Sequence, residues 1–83
     1  MSIPVQKLYT EKQGQYLAFI FYYTKINRVP PAHIDFESYF QTASSSVHQM
    51  ILQLEKKSLI RRIPNTPRSI VITINEELLP KLK

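Results

Sequence analysis

"SSSVHQMILQLEKKSLIRRIPNTPRSIVITI", residues 44 to 74, is the stretch whose reading decides the fold. Its first half spaces Val47, Met50, Ile51 and Leu54 at i, i+3, i+4 and i+7, which lines four apolar side chains along one face of a helix. Serine is a favoured helix cap, so one of Ser44, Ser45 or Ser46 is expected to hold an orphan amide at the start. Ser45, Gln49, Gln53 and Lys56 then face away from the apolar stripe. Lys56 and Lys57 end the helix, where positive charge suits the dipole. Ser58 stands where a helix usually stops with glycine. Beyond it, Leu59 to Ile63 and Ser69 to Ile74 read as strands, the second alternating Ile70, Ile72 and Ile74 with Ser69, Val71 and Thr73. Pro64, Asn65, Thr66 and Pro67 join them in a stiff loop, and Asn65 tolerates a left-handed backbone without glycine.

Upstream, Thr10-Glu11-Lys12-Gln13 is a capping box that opens a first helix running to about Ile26. Asn27 can end it, and Pro30 and Pro31 forbid its continuation. Ala32 to Phe40 reads as a short second helix, with Ile34, Phe36, Tyr39 and Phe40 as its apolar positions and Asp35 and Glu37 near its positive end. Gln41 to Ser44 is a tight polar turn. Residues 1 to 9 are expected to form an extended arm. Residues 75 to 83 form a C-terminal tail, either a short helix or a loose segment, in which Pro80 limits both. The expected architecture is one α+β domain over residues 1–83, mainly α: a winged helix-turn-helix with a three-helix core and a two-stranded β-hairpin wing over 10–74.

Eighty-three residues suffice for one modest core and exclude a multidomain enzyme. The net charge of +5 suits a polyanionic partner, and five of the eleven Lys and Arg residues fall between Lys56 and Arg68. Attraction to anionic lipid or mere solubility compete with nucleic acid as explanations, but the charge sits on a motif rather than in a tail. With no cysteine, thiolate metal sites and disulfides are excluded, and no metal or other cofactor is expected. No apolar run approaches a membrane span and no leader pattern opens the chain, so a cytoplasmic protein with no membrane partner is expected.

Reading base edges in the major groove requires short polar side chains at the front of a helix with longer amides behind them. Ser44, Ser45, Ser46, Gln49 and Gln53 meet that requirement and are the expected base-reading residues. Leu52, at the edge of this face, can contact a thymine methyl or lie exposed. His48, Lys56, Arg61, Arg62, Asn65, Thr66 and Arg68 are the expected backbone and wing contacts. The competing structural reading pairs Arg61 and Arg62 with Glu55, Asp35 or Glu37, and gives Lys56 and Lys57 only a role against the helix dipole. The expected partner is duplex DNA, with no small-molecule effector. Catalysis is not expected: His33 and His48 are the only histidines, neither is placed by sequence in a triad, and Gly14, the sole glycine, lies inside the first helix rather than in a phosphate loop.

Residues 10 to 74 resemble the N-terminal DNA-binding domain of the LexA repressor family. The resemblance lies in Thr10-x-x-Gln13-x-x-Tyr16-Leu17-x-x-Ile20, the Val29-Pro30-Pro31 joint, the Ser-x-Val-His helix start, Lys56-Lys57-Ser58-Leu59-Ile60 and Pro67-Arg68-Ser69-Ile70. It implies a three-helix core with a wing, operator binding by the third helix around Ser44, Ser45, Ser46 and Gln49, and action as a dimer. The family's self-cleaving protease domain has no counterpart here, and Ser58 replaces a usual glycine. The layout is also similar to winged-helix regulators of the MarR type.

The first helix carries apolar residues around nearly its whole circumference. Leu17, Ile20, Phe21 and Thr24 can face the core, which leaves Tyr16, Phe19, Tyr23 and Ile26 as a second stripe. A homodimer through that stripe is the expected way of covering it. The alternatives are intramolecular cover by the arm and the Leu78 to Leu82 segment, or use of the stripe as the working surface of a protein-interaction module.

Overall fold

The computed structural model describes residues 8 to 83; most of the expected arm lies outside them. Helix α1 spans Glu11–Asn27, and its capping box is formed: the Thr10 hydroxyl accepts the Gln13 amide at 3.1 Å while Gln13 Oε1 accepts the Thr10 amide at 3.0 Å. Its stop is made by Arg28 rather than Asn27, with φ 64° and its amide on the Thr24 carbonyl. Helix α2, His33–Phe40, begins where the Asp35 carboxylate accepts the Ala32 amide at 2.7 Å. Helix α3 spans Ser44–Lys56.

The expected serine cap of α3 does not form. Ala43 occupies the capping position, its carbonyl already receiving the amides of Ser46 and Val47, so the three serines form the first helical turn with exposed side chains. The other end obeys the expectation: Ser58 adopts φ 61°, its amide reaches the Glu55 carbonyl and that of Leu59 reaches Leu54. That is a Schellman stop built on serine, closed by the buried pair Leu54 and Leu59.

The two strands are shorter than the alternation suggests. Strands β1 (Ile60–Arg61) and β2 (Val71–Ile72) pair antiparallel in the register Ile60 with Ile72 and Arg61 with Val71. Pairing ends there because the Ser69 hydroxyl takes the Ile63 amide at 3.0 Å, and Asn65 and Arg68 turn left-handed at φ 60° and 57°. After β2, Glu76–Leu78 forms a 3-10 turn, Leu79 is extended, and residues 79–83 have no regular secondary structure.

The core lies between the three helices and the hairpin, with Tyr16, Leu17, Ile20, Phe36, Val47, Ile51 and Leu54 removed from solvent. Here the expected dimer stripe is corrected. Tyr16 and Phe19 are 1% and 6% exposed, because α2 covers them: Tyr16 stacks on Phe40 with ring centroids 4.3 Å apart, and Phe19 packs on Phe36 and Tyr39 at 5.1 and 4.8 Å. Tyr23 is half-buried beside Phe19, and only Ile26, 76% exposed, stands free. The 75–83 tail closes the opposite end. Leu79 and Leu82 pack on the core, Gln15 Nε2 donates to the Lys81 carbonyl at 2.8 Å, and Lys83 pairs with Glu11. Tyr9, expected in the arm, is buried over α1 with its hydroxyl on the Leu78 carbonyl. Among the described residues no helix is long and apolar enough to cross a membrane.

Candidate nucleic-acid interface

The residues of α3 separate into flanks according to its 100° steps. Val47, Ile51 and Leu54 are fully buried, so the opposite direction is set by Ser45, Gln49, Leu52 and Lys56, all exposed. None of the polar side chains of Ser45, Gln49 and Lys56 has a hydrogen-bond partner among the described residues. A free amide, a free hydroxyl and an ammonium group therefore share one outward strip of about three turns. Ser44 and Ser46 flank its start, both exposed.

Gln53 is not on that strip. Its Oε1 accepts the Gln13 amide at 3.1 Å, and Lys57 Nζ donates to Gln13 Oε1 at 2.8 Å, so Gln53 and Lys57 lean toward α1. Gln13, 4% exposed, is the hub: it closes the α1 capping box and ties α3 to α1 with one side chain. Sequence spacing reveals the capping half of that role. The inter-helix half spans 40 residues and has no local signal.

The hairpin arginines also divide. Arg61 is exposed and has no partner among the described residues. Arg62 turns back to Glu55 at 3.3 Å, the competing pairing considered for it, and its Nη1 carries none of those bonds. Arg68 departs furthest from expectation. Its Nη1 donates to Asp35 at 3.1 Å, to the Tyr23 hydroxyl at 3.0 Å and to the Pro30 carbonyl at 3.3 Å. This guanidinium pins the hairpin to the α1–α2 junction and is not a free phosphate ligand; the Tyr23 bond, then desolvation and Asp35, set its ionisation, with a net upward shift. Asn65 and Thr66 are exposed at the loop.

His48 projects from the other flank of α3 into a cleft of about 380 Å³ between the helices and the hairpin. His33, at the start of α2, shares the cleft, its ring centroid 6.3 Å from that of His48. Burial, joined by Arg62 and His48, holds the His33 imidazole below its ordinary range, with Glu37 opposing. Among the described residues no three His, Cys, Asp or Glu side chains gather as metal ligands. The arrangement can present an outward polar strip, flanked by Arg61, which has no partner among the described residues, and by the cleft of His33, His48 and Arg62, to a polyanion. No protein-family model matches this chain.

Proposed function

We propose that this chain is a winged-helix DNA-binding domain of LexA-like type that acts as a small cytoplasmic transcriptional regulator. Helix α3 enters the major groove and the β1–β2 hairpin lies as a wing on the backbone or in the minor groove. The observation that carries the reading is the outward strip of α3: among the described residues, Ser45, Gln49 and Lys56 keep their hydrogen-bonding groups unspent, while Arg61 on the hairpin beside them has no partner. A surface kept only for solubility needs no such register of serine, glutamine and lysine on one line. Ser44, Ser45, Ser46 and Gln49 are assigned to base edges, and His48, Lys56, Arg61, Asn65 and Thr66 to the backbone.

The alternative interaction module is weakened by the burial of Tyr16 and Phe19 in the monomer. A two-fold pair remains part of the proposal, through the surface that α1 does leave exposed: Tyr22 and Ile26 follow one another at i and i+4, and Val29 is exposed just past the Arg28 stop. Mobility-shift titration of duplex DNA at several salt concentrations tests the function. Binding that falls steeply with salt is expected, since each phosphate contact releases condensed counterions. A folded protein that ignores duplex DNA at low salt would refute it.

A further inference from the structure

We propose that His33, His48 and Arg62 form a proton-linked seat for one backbone phosphate of the bound duplex, in the cleft between α2, α3 and the hairpin. This rests on the DNA-binding reading and adds a regulation to it: affinity governed by pH.

The three groups come from three separate elements, His33 from the first turn of α2, His48 from α3 and Arg62 from just beyond β1, and they line the same cleft. The two rings stand 6.3 Å apart between centroids, a separation that an anion between them can bridge. Glu55 is held by Arg62, and Asp35 by Arg68 and the Ala32 amide, which leaves Glu37 as the acidic side chain acting on His33. Arg62 keeps Nη1 outside its pairing with Glu55, and Asn65 and Thr66 add polar groups on the hairpin side. Two imidazoles and the Arg62 guanidinium face one open space that Arg68 also lines, and although Glu55 and Asp35 offset the two arginines, the groups repel one another when both rings are charged. In the free protein the His33 imidazole is held below its ordinary range, through burial first and then Arg62 and His48. A phosphate oxygen in the cleft reverses that balance, because it favours the imidazolium form and accepts its N–H bonds. Binding therefore takes up protons, and DNA affinity rises as pH falls through the histidine range.

Fluorescence anisotropy of a labelled duplex at fixed ionic strength, between about pH 8 and about pH 6, reads the effect as roughly tenfold in affinity per pH unit for each proton taken up. The slope is expected to be the same on random and preferred duplexes, since a phosphate carries no sequence information. His33→Gln with His48→Gln removes both histidines of the chain and is expected to flatten the profile. Should that variant fail to fold by circular dichroism, imidazole proton resonances of the wild-type protein, followed with and without duplex, provide the reading: the ring pKa values are expected to rise on binding. Binding without pH dependence, a slope that survives the double variant, or unchanged imidazole titration would overturn the seat while leaving the DNA-binding reading intact. Absence of binding at every pH would remove that reading, and the seat with it.

Discussion

Gly14→Ala is expected to destabilise the domain, against the usual rule for glycine inside a helix. In an open helix the change gains about 1 kcal/mol. Here the added Cβ would stand 2.6 and 2.8 Å from Tyr9 Cε1 and Cδ1 and 3.1 Å from Pro80 Cγ, well inside normal contact. The Tyr9 ring must leave, although it is 6% exposed and its hydroxyl is bonded to the Leu78 carbonyl. Losing that burial costs about 1.5 to 3 kcal/mol and losing the hydrogen bond about 1 kcal/mol, so the net loss is about 1.5 to 3 kcal/mol. For a domain of this size Tm should fall by more than about 6 °C. Urea and thermal unfolding of four proteins test the cause: wild type, Gly14→Ala, Tyr9→Ala and the double variant. In the Tyr9→Ala background the two closest contacts are gone and only Pro80 Cγ at 3.1 Å must give by a few tenths of an ångström, so Gly14→Ala should stabilise by up to about 1 kcal/mol. Stabilisation in the wild-type background as well would show that Tyr9 does not need the glycine, and that the seal between the tail and α1 is not built on it.

Gln49→Ala should lower discrimination between preferred and random duplex by about 1 to 3 kcal/mol, whereas Gln53→Ala should leave discrimination alone and cost about 1 kcal/mol of folding stability by stripping Gln13 of its acceptor. Competition binding and urea unfolding on both variants would expose a reversal of these roles. Arg61→Ala should reduce the salt slope of DNA binding by about one, while Arg68→Ala should lower Tm and leave that slope near wild type, its charge being spent on Asp35, Tyr23 and Pro30. Ser58→Gly relieves a left-handed serine at φ 61° and should stabilise by about 0.5 to 1 kcal/mol after allowing for the greater freedom of unfolded glycine; a lower urea midpoint would contradict the strain. His33 is held below its ordinary range chiefly by burial, so the unfolded chain takes the proton first on acidification. Its contribution to stability is therefore whole above about pH 6.5 and lost below it, a decline that His33→Gln should remove from the pH profile of urea midpoints.

The helices were legible because their signals are local. Thr10 and Gln13 lie one turn apart, Val47 to Leu54 keep a helical period, and Pro30 and Pro31 cannot continue α1. Ser58 and Asn65 were identifiable as unusual backbone sites for the same reason. Arg28, Gln41 and Arg68 were not: each adopts positive φ without glycine, because a helix stop or the hairpin around it imposes the angle. The aromatic stripe misled for want of geometry, since a helix of eight residues, α2, supplies Phe36, Tyr39 and Phe40 to cover Tyr16 and Phe19. Within the candidate interface, the outward line of Ser45, Gln49 and Lys56 follows from periodicity alone. The fates of Gln53 and Arg68 depend on Gln13, Asp35 and Tyr23, partners 33 to 45 residues distant.

Amide and side-chain NMR shifts of the labelled protein on adding duplex DNA at low salt test the central claim most directly, because they report binding and its location together. Shifts concentrated at Ser44 to Gln49, Lys56, Arg61 and the Asn65–Thr66 loop, with Gln53 and Arg68 little changed, are the predicted result. Absence of shifts, or shifts confined to Tyr22 and Ile26 on α1 and to Val29 just beyond it, would contradict it.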